Sequence, residues 1–194
     1  MAMTAHRSTS PTASGSLPRR PVEIRPARPD EYTTLGQLAV DVYASLPGMP
    51  SIEDQPEYYG MLANVARRAS NPAFRVLAAV DESGELLGCV DFITDMAHYG
   101  SGGTAGQIPN AAGIRLLAVR PECRSHGVGN ALTQFCIKRA RALGKSQVIL
   151  HTTKAMEVAW GMYERIGFQR LPDIDFQQGA LAVFGFRLDL TARA

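Results

Sequence analysis

The segment most suited to chemistry runs from residue 116 to residue 130, where an apolar stretch meets a turn and then a helix. The turn contains Arg124, Gly127 and Gly129 in the pattern Arg-x-x-Gly-x-Gly. The first amides of a helix have no intrahelical partner, and the helix dipole favours negative charge beside them. The glycines leave the backbone open to a ligand, and Arg124 adds a charged group suited to phosphate. We therefore predict a pyrophosphate site at this turn.

The same pattern is also typical of an ordinary strand-to-helix connection with a solvated arginine. Two nucleotide-binding motifs are excluded. No Gly-Lys-Ser/Thr follows the turn, as a Walker loop requires, and the third glycine of a Gly-x-Gly-x-x-Gly dinucleotide turn is absent.

A second pattern lies downstream, where Tyr163 precedes Gly167 and Phe168 by four and five residues. By itself it is weak, because Gly167 fits a helix C-cap, Phe168 fits the core and Tyr163 fits ordinary packing. The order and spacing of the two patterns together are much more specific.

Residues 117–130 and the Tyr163-x-x-x-Gly167-Phe168 pattern resemble the GNAT superfamily of N-acetyltransferases, and residues 22–30 resemble its first strand and first helix start. The resemblance implies an acyl-CoA N-acyltransferase fold. This is an α/β fold with a mixed, largely antiparallel central sheet flanked by helices and with splayed central strands.

The resemblance also implies the binding of acetyl-CoA as the acyl donor. Its pyrophosphate would meet the turn and its pantetheine arm would pair with the strand before it, and Tyr163 would protonate the departing thiolate. The implied cofactor-binding residues are Leu117, Ala118, Val119, Arg124, Ser125, His126, Gly127, Val128, Gly129 and Asn130.

The implied reaction transfers an acetyl group to a primary amine of a small molecule or peptide by direct attack in a ternary complex. A phenol with an ordinary pKa of about 10 stays protonated at neutral pH and can donate to a thiolate. A strand amide would stabilise the oxyanion. The alternative on the same fold is a non-catalytic acyl-CoA-binding sensor or regulatory module, and the oligomeric state, including a homodimer, is left open.

Three positions depart from the family pattern. Ser125 stands where glycine is frequent, Met156 stands where asparagine is frequent, and residues 112–114 lack the glutamate that many members use as a base. Proton removal therefore needs another carboxylate, a histidine or a water chain. The candidates are His151, Asp91 and His126, each of which also fits a structural or solvated role.

The acceptor pocket of this fold is shaped by the first two helices. Tyr43, Met49, Tyr58 and Tyr59 are candidates for its wall, and Glu53, Asp54 and Glu57 are candidates for attracting a cationic amine. Ordinary core packing and a solvated acidic helix face explain the same residues.

Hydrophobic periodicity predicts the order β-α-α-β-β-β-α-β-α-β. The predicted strands are 22–25, 74–80, 86–93, 114–119, 147–151 and 181–190. The predicted helices begin at Asp30 and span 51–69, 129–143 and 155–166, and the glycine-rich residues 99–106 are predicted as a loop.

Composition predicts one domain at residues 21–194 after a disordered tail at residues 1–20, which is rich in Ser, Thr, Pro and Gly. The net charge of +2 gives no support to a nucleic-acid-binding domain, although three arginines and no acid lie in the tail. No apolar run is long enough for a membrane span. Three widely spaced cysteines favour a reducing, cytoplasmic location, and Cys123-x-x-His126 alone indicates no metal site.

Overall fold

The computed structural model describes residues 21–191, and the predicted tail at residues 1–20 lies outside them. The strands are β1 Glu23–Pro26, β2 Phe74–Val80, β3 Leu86–Ile93, β4 Ala111–Val119, β5 Gln147–Thr152, β6 Gln169–Arg170, β7 Phe176–Gln178 and β8 Leu181–Asp189. The α-helices are α1 Tyr32–Ala44, α2 Pro56–Ala63, α3 Val65–Ala69, α4 Val128–Ala142 and α5 Glu157–Ile166.

The strands form one sheet in the order β1-β2-β3-β4-β5-β8-β6, with β7 paired to β8. The β4–β5 pair is parallel, and the other pairs are antiparallel. Helices α4 and α5 cover one face of the sheet, and α1, α2 and α3 cover the other, each over its own apolar core. The predicted α/β class with a largely antiparallel sheet flanked by helices is confirmed.

The predicted helix at residues 51–69 is wrong, because it is two short helices separated at Asn64. The Asn64 backbone is not helical, and its side chain accepts a hydrogen bond of 3.0 Å from the amide of Arg67, which caps α3. Before α2, Asp54 accepts a hydrogen bond from the Ser51 hydroxyl within a non-helical segment. Strands β6 and β7 were not predicted, since two or three residues carry no periodicity.

The predicted loop at residues 99–106 contains a core residue. Tyr99 is fully buried, between short 3-10 turns at Met96–His98 and Ala105–Gln107. Its ring lies against Gly113 on β4, where a Cβ atom would come within 2.6 Å of Tyr99 Cδ2. The absent side chain of Gly113 therefore makes room for Tyr99.

A bulge interrupts β4 at Leu116, whose φ of +52° is in the left-handed region. The β3–β4 register shifts at the same place, between Cys89 and Asp91. After the bulge Leu117 packs with the α4 side of the sheet, whereas Leu116 packs with the α1 side. The bulge thus changes which side chains reach each face at the middle of the sheet.

Candidate functional site

The sheet opens between β4 and β5. These strands pair only from Ala111 opposite Gln147 to Ile114 opposite Leu150. Beyond this point β5 continues to pair with β8, and β4 continues beside β3, so the two strands separate. The predicted splay of the central strands is confirmed.

The open edge of β4 presents backbone polar groups. The amide of Arg120 donates to the carbonyl of Leu87 on β3 at 3.0 Å. Because successive residues of a strand direct their backbone groups to opposite edges, those of Leu117 and Val119 face the opening. A ligand lying along this edge finds donors and acceptors already in place.

The turn before α4 exposes the first amides of that helix. Ser125 and Gly127 have φ angles of +64° and +87°, and Gly127 is the N-cap residue. The first helical hydrogen bond runs from the amide of Ala131 to the carbonyl of Gly127, so the amides of residues 128–130 precede it. No atom lies within 4 Å of the position of a Gly127 Cβ, so the turn is open on that side.

A cavity of about 940 Å³ joins this turn to the opening in the sheet. It is lined by eight of the ten predicted cofactor-binding residues, namely Leu117, Val119, Arg124, Ser125, Gly127, Val128, Gly129 and Asn130. The other two do not line it. Ala118 is buried against the α1 side of the sheet, and His126 is exposed with Nδ1 at 2.8 Å from the carbonyl oxygen of Arg124.

The cavity also contains charged residues that the sequence analysis did not single out. Lys154 and Arg165 line it together with Arg124, whereas Glu157 is the one acidic residue among its lining residues. Three cations against one carboxylate favour a polyanionic guest such as a pyrophosphate. The position of Lys154 just before α5 gave no signal in the sequence.

Tyr163 lies on α5, the helix that contributes Ala159 and Met162 to the wall of this cavity. It is 5% exposed, and its ring packs edge-on against Phe168 at a centroid distance of 5.7 Å. Burial raises the pKa of Tyr163, and Tyr99 and Cys136 raise it further, so the phenol is protonated at neutral pH. Tyr163 is not itself among the lining residues, but Ala159 and Met162 on the same helix are.

Asp91, one of the candidate bases, is held in a buried ion pair. Its Oδ2 accepts a hydrogen bond of 2.7 Å from Nε of Arg68, and the side chains are 2% and 8% exposed. Asp91 does not line the cavity. A carboxylate that stabilises a buried guanidinium is poorly placed to take a proton from a substrate.

His151, the second candidate, has both ring nitrogens engaged. Nε2 lies 2.9 Å from the carbonyl oxygen of Ile174, which can only accept, so Nε2 carries the hydrogen. Nδ1 therefore accepts, and the Tyr99 hydroxyl at 3.0 Å donates to it, with Ser101 Oγ at 3.4 Å. Burial lowers the pKa of His151, so the ring is neutral.

Among the residues predicted for an acceptor pocket, Tyr43 alone lines the cavity. Tyr43 packs edge-on against Tyr58 at 6.2 Å, and Tyr59 is buried and donates to the carbonyl of Pro50 at 2.7 Å. The predicted acidic residues Glu53, Asp54 and Glu57 are exposed. The cavity therefore gains one of the predicted aromatic residues, Tyr43 of α1, and none of the predicted acidic residues.

Two buried hydroxyls lie where β5 leaves β4. Thr152 and Thr153 are 2% and 4% exposed, and within residues 21–191 their Oγ1 atoms are the buried side-chain N and O atoms without a hydrogen-bond partner. Buried polar atoms are usually paired. These threonines follow directly after His151 and were not identified from the sequence.

The sequence matches the acetyltransferase (GNAT) family over residues 39–168. It is 36% identical over 103 residues to a mycothiol acetyltransferase of Arthrobacter sp. (strain FB24), covering 53% of this chain and 29% of that protein. It is 33% identical over 108 residues to an uncharacterized N-acetyltransferase of Schizosaccharomyces pombe, covering 56% of this chain and 60% of that protein. The chain therefore spans less than two thirds of the length of these relatives.

Solved structures share the fold at low sequence identity. The PaiA N-acetyltransferase of Thermoplasma acidophilum in complex with coenzyme A has a TM-score of 0.63 at 21% identity, covering 85% of this chain and 98% of that chain. The spermidine N-acetyltransferase of Vibrio cholerae in complex with CoA and spermine has a TM-score of 0.58 at 16% identity, covering 87% and 95%.

The opened sheet and the turn before α4 are those of an acyl-CoA N-acyltransferase fold, which the solved structures share. The chain belongs to the GNAT family of acetyltransferases. The family and the fold class predicted from the sequence are confirmed.

Neither a bilayer-spanning helix nor a metal-binding cluster is present in the described part of the chain. No helix within residues 21–191 is both long and apolar enough to cross a membrane. The same residues contain no group of three or more His, Cys, Asp or Glu side chains arranged to hold a metal ion.

Proposed function

We propose that this protein transfers an acetyl group from acetyl-CoA to a primary amine of a small molecule or peptide by direct attack in a ternary complex. The observation that carries the proposal is the continuous cavity from the open amides before α4 to the point where β4 and β5 separate. One end suits the anionic half of the donor, and the other brings its thioester beside Tyr163.

Donor binding follows from the groups at each end. The amides of Val128, Gly129 and Asn130 and the cations Arg124 and Lys154 suit the pyrophosphate. The backbone edge at residues 117–119 suits the amides of the pantetheine arm, which would continue the sheet as an added strand.

In the reaction, the amine nitrogen bonds to the thioester carbon and an oxyanion forms. A backbone N–H on the open edge of β4 stabilises this oxyanion. When the C–S bond breaks, the hydroxyl of Tyr163 gives its proton to the thiolate and later regains one from water. Its raised pKa keeps the phenol protonated until that moment.

We propose that the amine enters in its neutral form. After its nitrogen has attacked the thioester, the nitrogen carries a positive charge, and water removes one of its protons to leave the neutral amide. Asp91 is held by Arg68, and His151 is engaged at both nitrogens. The related fold that binds CoA and spermine supports an amine acceptor and leaves its substituents open. Cys89 and Cys136 are buried and form no disulfide, which is consistent with the expected cytoplasmic location.

The test is thiol release from acetyl-CoA with a panel of primary amines, comparing wild type with the Tyr163→Phe variant. Loss of the general acid lowers kcat by about 100-fold or more, whereas the melting-temperature shift with acetyl-CoA persists. The matched control is Tyr59→Phe, which removes a hydroxyl bonded to Pro50 on a buried residue that does not line the cavity.

Each contrary result has a distinct meaning. Unchanged turnover in the Tyr163→Phe variant would show that another group protonates the thiolate. If the protein binds acetyl-CoA but releases no CoA thiol with any amine of the panel, the result would favour the sensor or regulatory module on the same fold.

A further inference from the structure

A cluster of three charged side chains beneath α1 and α2 carries an excess positive charge. Asp91 on β3 lies directly opposite Arg115 on β4 in the sheet register. The carboxylate of Asp91 forms an ion pair with Arg68. Nη1 of Arg68 also donates to two carbonyls at the end of α2, that of Met61 and, at 3.0 Å, that of Leu62. Arg68 and Asp91 therefore balance each other and leave Arg115 as the surplus cation.

Arg115 acts on Asp91 electrostatically but forms no ion pair within residues 21–191. Within residues 21–191 no carboxylate lies within 4.0 Å of its guanidinium, and residues 1–20 and 192–194 contain no Asp or Glu. Its Nη1 donates to the carbonyl of Tyr99 at 2.6 Å, and the guanidinium lies 5.6 Å from the Tyr99 ring centroid. These contacts orient Arg115 but do not neutralise it.

The two other guanidinium nitrogens remain available. Nε and Nη2 of Arg115 have no hydrogen bond to residues 21–191, and neither is among the fully buried atoms without a partner, so solvent reaches them. Together they form one edge of the guanidinium, whose parallel N–H bonds match the two oxygens of a carboxylate. With this edge available, the half-buried guanidinium of Arg115 is suited to bind a carboxylate through two parallel hydrogen bonds.

Arg115 does not line the cavity, but it lies next to the point where the sheet opens. It is the first residue of β4 beyond Ile114, where the pairing with β5 stops. Because side chains alternate along β4 and Ile114 packs on the α4 side, Arg115 lies on the α1 side. There its charge opposes the burial that raises the pKa of Tyr43, Tyr58 and Tyr99. Tyr43 also lines the cavity, and both Arg115 and Tyr163 influence its pKa. Tyr43 therefore links Arg115 to the part of the site that contains Tyr163.

We propose that the acceptor is an amine bearing a carboxylate, and that Arg115 binds this carboxylate and orients the amine toward the thioester. The inference rests on the proposed function and names the substrate class of the same site. A purely cationic amine would instead meet an unbalanced guanidinium, which disfavours it.

The experiment compares matched pairs of amines with the full-length protein and acetyl-CoA. The pairs are phenylalanine with phenethylamine, lysine with cadaverine, and alanine with ethylamine. We expect wild type to favour the carboxylate-bearing member of at least one pair by 10-fold or more in kcat/KM, and Arg115→Gln to lose this preference mainly through KM. Comparing the same pair between proteins cancels the different basicity of the two amines.

Two variants control for charge and for folding. Arg115→Lys keeps the positive charge but lacks the two parallel N–H donors, so it retains part of the preference for carboxylate-bearing amines. Arg75→Gln, which removes an exposed arginine bonded only to the carbonyls of Pro72 and Phe74, leaves it unchanged. The Arg115→Gln variant melts within a few degrees of wild type, because the buried ion pair of Asp91 is with Arg68 and stays intact.

A second readout measures binding without turnover. In the presence of CoA, the favoured carboxylate-bearing amine raises the melting temperature of wild type but not of Arg115→Gln. The inference is overturned if carboxylate-free amines are preferred, if the preference survives in Arg115→Gln, or if neither readout distinguishes the pairs. Thiol release with carboxylate-free amines alone would overturn it while leaving the acetyltransferase function in place.

Discussion

Ile114 on β4 lies opposite Leu150 on β5, and it is the last residue at which these neighbouring strands pair. Just beyond it, the bulge at Leu116 and the turn toward α5 carry the strands apart. Ile114 and Leu150 share a core cluster with Tyr163, and Leu117 and Val119, which line the cavity, pack against the same cluster. The end of one strand pairing therefore organises the entire candidate site.

The turn before α4 gives the first prediction. Gly127→Val weakens acetyl-CoA binding by at least 10-fold, because its side chain would extend into the open space beside the helix amides. A valine at a φ of +87° is also strained, so some stability is lost. Calorimetric titration with acetyl-CoA measures the affinity.

A matched glycine at the other end of α4 separates strain from binding. Gly144 has a φ of +68°, and a Cβ atom added there would likewise have no other atom within 4 Å. Gly144→Val carries a similar backbone cost but lies away from the cavity, so its affinity stays at the wild-type value. Equal loss of affinity in both variants would assign the effect to strain.

The buried ion pair gives the second prediction. Arg68→Gln lowers the free energy of unfolding at pH 7 by about 3–5 kcal/mol, because it leaves Asp91 buried without its partner. The double variant Arg68→Met, Asp91→Leu recovers most of this loss, since no buried charge remains. Denaturant unfolding of the two proteins checks both statements, and a double variant as unstable as the single one would contradict them.

The same variant has a defined pH dependence. Burial raises the pKa of Asp91, and Arg68 and Arg115 oppose that rise. Removing Arg68 raises this pKa further, and the folded state then favours the neutral carboxyl. The loss of unfolding free energy in Arg68→Gln relative to wild type is therefore smallest in acid. It grows as the pH rises from the folded-state pKa of Asp91 in wild type to the higher folded-state pKa in the variant.

His151 gives the third prediction. Because burial lowers its pKa, the neutral ring contributes stability above the unfolded pKa of about 6.5, and the contribution is lost as the pH falls through the folded-state pKa. His151→Phe costs about 1–2 kcal/mol at pH 8 through the bonds to Tyr99 and Ile174. The difference from wild type narrows below pH 6, by denaturant unfolding at each pH.

A catalytic readout distinguishes this structural role from general base catalysis. If water removes the amine proton, kcat/KM of His151→Phe follows the same rise with pH as wild type. A rise that disappears in His151→Phe would identify His151 as the base. The control His98→Gln changes an exposed ring that contacts Asn71 and leaves both profiles unchanged.

Local patterns in the sequence predicted the elements around the turn well. The apolar stretch through Val119, the glycines of the turn and the periodicity of α4 all depend on neighbouring residues, so the strand, turn and helix could be placed. The bulge at Leu116 could not be predicted. It has no glycine, and its left-handed backbone is imposed by pairing with β3, more than twenty residues away.

The burial of Tyr99 depends on a long-range fit in the same way. Gly100, Gly102 and Gly103 around it indicate a loop, and the backbone there does turn. The ring is nevertheless held in the core by the space above Gly113 and by the hydrogen bond to His151. Gly113 lies inside β4 but just before the predicted strand 114–119, so the sequence did not show it as a strand glycine, which often marks a close approach.

Some charges of the site could also be predicted from the sequence, and others could not. Arg124 and the helix amides could be predicted because they lie within one motif. The surplus charge of Arg115 depends on Arg68 taking the carboxylate of Asp91, which involves three separate elements. Pairings of this kind become visible only in the folded chain.

The most direct test of the central claim is the melting temperature of the protein with and without excess acetyl-CoA, with NAD and ATP as controls. At 100 times its dissociation constant, a ligand adds about 2.7 kcal/mol, which corresponds to a rise of about 5–11 °C for a chain of this size. We predict a rise of this size with acetyl-CoA and not with NAD or ATP. No rise at saturating acetyl-CoA would contradict the proposed donor site and the acetyltransferase function that depends on it.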